Sequence, residues 1–573
     1  MGSTDKTPAG VTETPDVPER GIFRLSRRLP DWADPIIDAV LLVERLAPVV
    51  LAVLVFAGGL ILLLSGAGPE VFARKAVLRD IIPLPFAEAS HLSASLTGLA
   101  LIVLSRGLAL RMAQARYAAM AVLIAGAAFV LIKGLDWEEA GLLLLVAGAL
   151  AASRHAFYRR GDWHAFRPTP MWLGIMALTL VAVTLIGLIG FRNVSYRTEL
   201  WWSFAWSGDA PRFLRATLVV AIVVVALTMN VIINRPPRAR PARVAVPDAV
   251  RRISETCADS IVQVAHLGDK KFLVSPDQDA FLMYAVSGSS WVCLGGPFGN
   301  PQAGEALFWR LAELADRAGG RPVYYGVSPD AVLRLLDFGH VILKTGEVAL
   351  VDLAKFTLEG PDRKDLRYAR SRATRDGLSF HVLPRAEVPA HMGRLRHVSD
   401  AWLAGRKGRE KGFSLGRFDP QYMAEFDVAI MEKEGEIIAF ANLWRSGARH
   451  EMSIDLMRHL SGQTPVLMDA LMVETILYAQ SQGYEKFNLG GAPLSGLKHH
   501  PLASVWNRIG TLAYRRGDEF YSFEGLRAFK KKFGPDWSPR YMTCPGGMSI
   551  PRALIDVALL ISRPNSSLVR LPE

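Results

Sequence analysis

Long apolar runs alternate with short charged loops in the first half of the chain. The runs lie at 47–65, 92–110, 117–132, 140–152, 171–191 and 214–233. Most of them approach the roughly 20 residues that an α-helix needs to cross a bilayer, and the fourth run is the shortest. The pattern predicts an α-helical transmembrane domain of about six helices over residues 47–234.

The charges of the connecting loops predict an orientation for this domain. Arginines follow the second, fourth and sixth runs, whereas the loop after the third run reads "DWEEAG". Because basic loops mark the cytoplasmic side, both chain termini and everything after Pro236 are expected in the cytoplasm. The cations Arg74, Lys75 and Arg79 in the first outer loop are an exception to the pattern.

The segments on either side of the apolar runs are polar or amphipathic. Residues 1–46 are expected to form a disordered, Thr- and Pro-rich tail followed by an interfacial amphipathic helix from Gly21 to Leu46. No apolar region with a small-residue cleavage site follows the tail, so a cleaved signal peptide is not expected. Residues 235–249 contain "PPRARPARVAVP" and are predicted to be a stiff, basic linker.

Beyond the linker the pattern changes to that of an α/β protein, with short strands, turns and amphipathic helices. This sequence of elements occurs twice, over residues 250–362 and 381–550. A basic helix at 363–380 joins the two units, and residues 551–573 are predicted to form a C-terminal helix and tail. The expected fold is therefore a multi-span membrane domain followed by a cytoplasmic α/β domain.

Composition narrows the class of partner. The chain has 573 residues, of which 50% are hydrophobic, and a formal net charge of +12. The charge favours anionic partners, which are phospholipid headgroups, nucleic acid or both. The three cysteines form no CxxC pair, and His499 and His500 lack neighbouring carboxylates or thiols. Neither a disulfide framework nor a metal site is therefore expected, and no cofactor is implied.

The joining helix, "DRKDLRYARSRATRDG", has the strongest concentration of positive charge. Helical spacing aligns Arg363, Arg367 and Arg370 along one side. A solvated surface helix is the ordinary interpretation, but acidic partners within this helix are scarce, which favours phosphate binding. A second basic segment, "GRKGREKG" at 405–412, is predicted to be a mobile loop.

Three further motifs could form a reaction site. In "EMSIDLMRH", Ser453 and Asp455 share one face of a strand, and Arg458 could turn toward the same edge, either as a phosphate ligand or as half of a structural ion pair. The strand in "FNLGGAPLSGL" leads into either a plain turn or a ligand-binding loop. In "FEGLRAFKKKFGPDWSPRYM", one lysine could stabilise an oxyanion or lie on the surface.

Together with "GFSLGRFDPQYM", these motifs resemble the bacterial aminoacyl-phosphatidylglycerol synthases, the family of phosphatidylglycerol lysyltransferases called multiple peptide resistance factors. The likeness covers the soluble half and the preceding spans, with four motifs in the same order. The resemblance implies tandem GNAT folds at 250–362 and 381–550. It also implies transfer of an aminoacyl group from aminoacyl-tRNA to phosphatidylglycerol in the bacterial inner membrane, which gives resistance to cationic antimicrobial peptides.

The resemblance also assigns roles to residues. The catalytic positions are Asp455, Arg458, Glu524 and Lys532, with Lys532 preferred among the three adjacent lysines. Substrate binding is expected of a larger set, namely Trp444, Ser453, Asn488, Gly490, Lys530, Arg363, Arg367 and Arg370. The implied partners are aminoacyl-tRNA and phosphatidylglycerol, while a homo-oligomer is left open. A lysyl donor is favoured on family frequency, and an alanyl donor is the alternative.

Two other classes of protein were weighed. An acyl-CoA-dependent GNAT enzyme would need a Q/R-x-x-G-x-G/A loop, and the nearest string, "QSQGYE" at 480–485, does not supply it. A lipid flippase or transporter without transferase activity would be supported by ionisable residues within the membrane, and the six runs contain few of these. Whether the membrane part flips the product stays open.

Overall fold

The structure is a computed structural model that describes most of the chain. The described residues are 34–67, 84–134, 137–159, scattered positions from 172 to 185, 243–405, 410–498, 500, 502–504, 506–508, 523–547 and 549–562. The predicted N-terminal tail, the sixth apolar run, most of the fifth and most of the linker lie outside them. The chain forms two compact units, the first at 1–238 with 317–319 and the second comprising the remaining residues.

The first unit is helical. Its helices are α1 (Asp34–Ala67), α2 (Leu84–Ala109), α3 (Ala113–Gly134) and α4 (Trp137–Ala152), followed by a 3₁₀ turn at Arg154–Ala156. The first four apolar runs are thus confirmed as helices. Helix α1 is continuous through the boundary predicted at Leu46, so the helix itself shows no break between the predicted interfacial segment and the first apolar run.

Two segments of this unit have the length and composition to cross a membrane. These are Leu46–Leu63 in α1 and Ala113–Leu131 in α3, while the apolar segment Leu96–Ala109 of α2 is shorter. The structure therefore provides two candidate spans among the described residues, and a six-span topology stays a prediction. Helices α1 and α2 approach closely where Gly59 meets Gly98, since a Cβ on Gly59 would lie 2.7 Å from the Gly98 carbonyl oxygen.

The second unit has α/β architecture, as predicted. Its strands are β1 (Lys271–Val274), β2 (Ala280–Ser287), β3 (Ser290–Leu294), β4 (Phe298–Gly299), β5 (Arg321–Val327), β6 (Val341–Asp352), β7 (Leu378–Leu383), β8 (Asp427–Lys433), β9 (Glu436–Arg445), β10 (Glu451–His459), β11 (Lys486–Pro493) and β12 (Asp536–Cys544). They form one mixed sheet in the order β1-β2-β3-β5-β12-β6-β11-β10-β9-β8-β7, and β4 pairs with β2.

Helices cover this sheet and bury its apolar side chains. They are α5 (Asp248–Thr256), α6 (Pro301–Arg317), α7 (Pro329–Arg334), α8 (Lys364–Arg375), α9 (Val388–Ala404), α10 (Pro420–Met423), α11 (Leu467–Ser481), α12 (Phe523–Lys531) and α13 (Ser549–Ser562). Short 3₁₀ segments lie at Ser260–Leu267, Leu336–Phe338, Pro361–Arg363 and Gly447–Arg449. Helix α11 is the most central, since Leu471, Val473 and Ile476 are fully buried in the core.

The two predicted α/β units are not separate along the sequence. Strand β12, from the end of the chain, pairs antiparallel with both β5 and β6 and so completes the sheet of the first half. Strand β11 of the second half pairs with β6 on its other edge. A division at residue 362 therefore describes the order of the elements but not the packing, because backbone hydrogen bonds join the halves across the whole sheet.

Candidate active site

The centre of the sheet opens between strands β10 and β11. These parallel strands pair only from Glu451–Ser453 to Lys486–Asn488. Beyond that point β10 continues along β9 and β11 continues along β6, and both strands bulge, β10 after Ile454 and β11 after Asn488. Bulges redirect side chains and bend strands apart. The opening between β10 and β11, called the central cleft below, is the candidate site.

Asp455 lies on the β10 bulge, at one side of the central cleft. Its Oδ1 accepts a hydrogen bond of 2.8 Å from the backbone N–H of Gly416, and its Oδ2 accepts one of 2.8 Å from the hydroxyl of Tyr422. The indole Nε1 of Trp444 donates to the same hydroxyl at 3.0 Å. Burial raises the pKa of the Asp455 carboxyl above its ordinary value. These contacts fix the orientation of a carboxyl group that holds its proton more readily than a solvated one.

Two features of the surrounding backbone maintain this geometry. The fully buried Asn442 on β9 accepts a 2.7 Å hydrogen bond from the N–H of Leu456, which satisfies a backbone donor within the bulge. Gly416 leaves no room for a side chain, because a Cβ there would lie 1.8 Å from Oδ2 of Asp455. The glycine in "GFSLGRF" is therefore required by the close approach of the carboxylate.

A buried lysine that the sequence analysis missed lies near Asp455. The ammonium of Lys270 contacts Oδ1 of Asp269 at 2.5 Å and donates to the carbonyl of Val264 at 3.2 Å. Burial lowers the pKa of Lys270, and the nearby Asp455 acts in the opposite direction. The only sequence signal is an Asp-Lys-Lys run before β1, which is typical of an exposed turn, so the pattern gave no reason to select it.

Lys530, near the end of α12, lies beside the β11 side of the central cleft. Its Nζ donates a 2.7 Å hydrogen bond to the carbonyl of Gly491, and a Cβ on Gly490 would lie 3.5 Å from it. Burial lowers the pKa of Lys530 from its ordinary value of 10.5 to about 7. Near neutral pH this amine can therefore both accept and donate a proton.

The sequence-based preference for Lys532 is not supported by its position. Its side chain is exposed and forms a 2.9 Å ion pair with Asp469 of α11, whereas Lys530 is the buried member of the run. Lys532 follows the end of α12 at Lys531, so helical spacing no longer governs its direction. Glu524 lies in the first turn of α12, but its side chain is outside the described residues.

Arg458 does not extend into the central cleft as a free phosphate ligand. It is 2% exposed, donates to the hydroxyl of Ser399 at 2.6 Å and pairs with Glu410 at 2.8 Å. Its guanidinium also lies 5.1 Å from the centre of the Trp402 ring. Arg458 therefore forms a structural ion pair, as the alternative interpretation expected, and its partner is Glu410.

Ser453 and Asn488 close the base of the central cleft. The Ser453 hydroxyl donates to the Asn488 carbonyl at 2.9 Å, and the Asn488 amide donates to Oε1 of Glu451 at 3.1 Å. Oδ1 of Asn488 accepts from the N–H of Gly490 at 2.8 Å. Their positions make Ser453 and Asn488 supports for the opening, while Gly490 lies on its wall.

The basic helix α8 carries both neutralised and uncompensated charge. Arg370 pairs with Glu474 at 2.7 Å, whereas Arg363 donates to the carbonyl of Lys532 at 3.0 Å and Arg367 to the carbonyl of Gly360 at 2.7 Å. A neutral carbonyl accepts a hydrogen bond without cancelling the positive charge. Arg363 and Arg367 therefore contribute more to the local positive potential than Arg370 does.

Within the ranges that the structure describes, His, Cys, Asp and Glu form no group of three or more that could hold a metal ion.

Residues 251–544, just over half of the chain, match the sequence model of the family described as phosphatidylglycerol lysyltransferase, C-terminal. The chain belongs to this family.

Relatives of known name and a solved structure agree with this assignment. The phosphatidylglycerol lysyltransferase of Bacillus subtilis is 29% identical over 519 residues, which cover 90% of this chain and 59% of that protein. The protein of the same name from Staphylococcus aureus strain MRSA252 is 32% identical over 54% of this chain and 37% of its own length. The chain thus spans less than two thirds of the length of these curated relatives.

A crystal structure of the C-terminal domain of a protein assigned as a lysylphosphatidylglycerol synthetase from Agrobacterium fabrum is also similar. It is 39% identical, covers 55% of this chain and 96% of its own, and superposes with a TM-score of 0.51. The parallel β10–β11 pair that separates beside helix α11 is GNAT-like, in agreement with the fold expected for this part of the chain.

The buried Lys530 predicts a pH dependence of stability. Its folded pKa of about 7 lies below the ordinary value of 10.5, so between these pH values the unfolded chain binds a proton that the folded chain does not. The free energy of unfolding from this group therefore rises with pH across the window, by at most about 1.4 kcal/mol per pH unit. Lys530→Met should stabilise the protein most below pH 7, with the gain shrinking toward pH 10.5.

Thermal unfolding of wild type and variant from pH 6 to pH 10 measures this effect. Lys531→Met is the matched control, because Lys531 is the exposed neighbour in the same helix and its loss should not alter the pH dependence. Parallel curves for wild type and Lys530→Met would show that Lys530 is protonated alike in both states.

Proposed function

We propose that this chain transfers an aminoacyl group from aminoacyl-tRNA to a glycerol hydroxyl of phosphatidylglycerol. The observation that carries the proposal is the central cleft, where two strands separate after three residue pairs. The oriented carboxyl of Asp455 lies on one of these strands, and Lys530 of α12, a buried amine with a pKa of about 7, donates to the Gly491 carbonyl of the other. The family assignment supports the same reaction class, since relatives are named phosphatidylglycerol lysyltransferase.

The reaction requires positioning and proton transfer more than activation. The lipid hydroxyl oxygen attacks the ester carbon of aminoacyl-tRNA, a new C–O ester bond forms, and the bond to the ribose oxygen breaks. The hydroxyl proton is transferred in the same process to the released ribose oxygen. Because the donor ester is already activated, holding both substrates together and stabilising one oxyanion account for most of the catalysis.

The side chains of the central cleft suit these tasks. Asp455 orients the attacking hydroxyl or the α-amino group of the aminoacyl donor, since Gly416 and Tyr422 hold its oxygens in place. Lys530, neutral above about pH 7, accepts the hydroxyl proton and, once charged, donates it to the leaving ribose oxygen. This reassigns to Lys530 the role that the sequence analysis gave to Lys532.

The basic surface around α8 suits the phosphate backbone of tRNA. Arg363 and Arg367 keep uncompensated charge, and Tyr368 between them and Arg370 is 54% exposed, which offers a face for stacking. Exposed cations provide affinity that is sensitive to salt and indifferent to sequence. This surface would hold the tRNA while its charged end enters the central cleft.

The cellular role follows from the charge of the product. A lysyl group adds positive charge to an anionic lipid, which lowers the negative surface potential and weakens binding of cationic antimicrobial peptides. An alanyl donor would add a smaller positive charge, through its α-amino group, and remains the second candidate. The candidate spans Leu46–Leu63 and Ala113–Leu131 support a multi-pass location in the inner membrane, beside the acceptor lipid.

In the direct test, membranes that contain the protein are incubated with labelled aminoacyl-tRNAs, one amino acid at a time. A parallel incubation uses labelled acyl-CoA. We expect a labelled phosphatidylglycerol ester to form from lysyl-tRNA, as resolved by thin-layer chromatography. Formation only from alanyl-tRNA would select the second donor. Product from acyl-CoA but not from any charged tRNA would overturn the proposal.

The central cleft predicts the effect of Asp455→Asn. The variant should fold, since its amide oxygen can accept from the Gly416 N–H and its amide nitrogen can donate to the Tyr422 hydroxyl, but turnover should fall by about 10²-fold because the group no longer orients a proton-bearing nucleophile. Asp469→Asn is the matched control, because it removes a surface carboxylate paired with Lys532. Equal activity of both variants would place the chemistry outside the central cleft.

The α8 surface makes a separate prediction. The double variant Arg363→Gln/Arg367→Gln should raise the KM for charged tRNA roughly 10-fold and weaken its salt dependence, with kcat changed less. Arg370→Gln should have a smaller effect, because Glu474 already neutralises Arg370. Initial rates at several salt concentrations give the KM of each variant and its salt dependence. An unchanged KM in the double variant would make α8 an ordinary surface helix.

A further inference from the structure

Arg417 is a buried cation for which the described residues provide no hydrogen-bond partner. It is 8% exposed, and its Nη1 is buried without a hydrogen bond. The other buried cations of this region are paired, Lys270 with Asp269 and Arg458 with Glu410. A charge taken from water without a partner costs free energy, and arginine cannot lose its proton to avoid that cost.

The position of Arg417 relates it to the central cleft. It directly follows Gly416, whose N–H binds the carboxylate of Asp455. Arg417 and Asp455 also act on the same ammonium group, because Arg417 lowers and Asp455 raises the pKa of Lys270, whose main shift comes from burial. Arg417 thus directly follows the residue that binds the Asp455 carboxyl, and its charge acts on the same buried lysine.

One neighbouring acid must be considered. Asp419 accepts hydrogen bonds through Oδ1 from Arg243 at 3.0 Å and from the N–H groups of Gln421 and Tyr422, while its Oδ2 has no hydrogen-bond partner. Burial acts to raise the pKa of Asp419, but the hydrogen bonds from Arg243 and Tyr422, with a smaller effect of the Arg417 charge, lower it overall. Oδ1 of Asp419 is therefore already bound to Arg243.

The acceptor lipid has an anionic group close to its reacting hydroxyl. In phosphatidylglycerol, three carbon atoms separate the terminal hydroxyl from the phosphodiester oxygen. A hydroxyl held at Asp455 therefore keeps the phosphodiester within a few ångströms of the same group of charges. The planar guanidinium can bind two phosphate oxygens at once.

We propose that Arg417 binds the phosphodiester of the phosphatidylglycerol acceptor and so positions its terminal hydroxyl at Asp455. This inference rests on the proposed transferase function. A lipid is favoured over RNA because the segment around Arg417 is apolar, with Phe413 buried and Leu415 41% exposed. The cations suited to an RNA backbone are the exposed ones on α8.

The first experiment measures binding without turnover. The full-length protein in detergent micelles is titrated with glycerophosphoglycerol, the soluble headgroup of the acceptor, and binding is followed by ³¹P NMR. We expect Arg417→Gln to weaken binding at least about 10-fold, the usual scale for a charged hydrogen bond. Arg396→Gln is the matched control, because this exposed arginine lies over the nearby Phe418 ring and its loss should leave the affinity unchanged.

The second experiment measures kinetics with both substrates. Arg417→Gln should raise the KM for phosphatidylglycerol in mixed micelles and leave the KM for aminoacyl-tRNA unchanged. Arg417→Lys keeps the charge but loses the bidentate geometry, so it should give an intermediate KM for phosphatidylglycerol. It also tests the inference if Arg417→Gln does not fold. Melting temperatures of all variants separate loss of binding from loss of structure.

The outcomes distinguish the inference from the function on which it rests. If wild type transfers aminoacyl groups and the Arg417 variants keep both KM values, Arg417 does not bind the acceptor and the inference is wrong. A rise confined to the KM for tRNA would assign Arg417 to RNA, and equal competition by inorganic phosphate would indicate a free-phosphate site. If wild type transfers nothing yet binds glycerophosphoglycerol through Arg417, the proposed transferase reaction fails and the lipid site stands.

Discussion

The short parallel contact between β10 and β11 is the constraint on which the rest of the site depends. The two strands pair over three residues, and the polar side chains at that point hold them together, because Glu451 accepts hydrogen bonds from both Ser260 and Asn488. Beyond it each strand follows a different neighbour. A longer contact would close the sheet, and a shorter one would leave β11 attached only to the first half.

Burial brings the proton affinities of Asp455 and Lys530 closer together. The carboxyl of Asp455 has a raised pKa and the amine of Lys530 a lowered one, and in both cases loss of solvent is the main cause. With a pKa of about 7, Lys530 can exchange protons with a substrate near neutral pH, which an ordinary solvated lysine cannot do. The packing that stabilises the fold therefore also gives Lys530 the proton affinity that the proposed reaction needs.

The sequence predicted the elements better than the contacts. Strand β10 could be inferred, and Asp455 selected as a candidate, because "EMSIDLMRH" has a strand pattern that ends in charged residues. Lys530 could also have been selected, since Leu526 lies four residues before it and the fully buried Phe533 three residues after it, which places it on the apolar side of α12. The spacing agrees with the expectation that Lys530 belongs to the substrate-binding set, but the preference for Lys532 as the catalytic lysine had no support from it.

Other parts of the site depend on distant segments and gave no local signal. Lys270, Gly416 and Tyr422 approach Asp455 only after the sheet has formed, so no spacing in the sequence joins them. The partner of Arg458 is likewise Glu410, which is separated from it by strands β8 and β9. Such contacts are properties of the topology, and a pattern read along one segment cannot contain them.

The position of β12 has a consequence for biosynthesis. The ribosome must release residue 544 before β5 and β6 can receive the strand that lies between them, although both are made nearly two hundred residues earlier. Until then each presents an open edge, which is prone to pair with other chains. Helix α12 immediately precedes this strand, so Lys530 reaches the sheet in the same late step. The candidate site of a nascent chain is therefore incomplete until β12 has docked, by which time the N-terminal helices have already been synthesised.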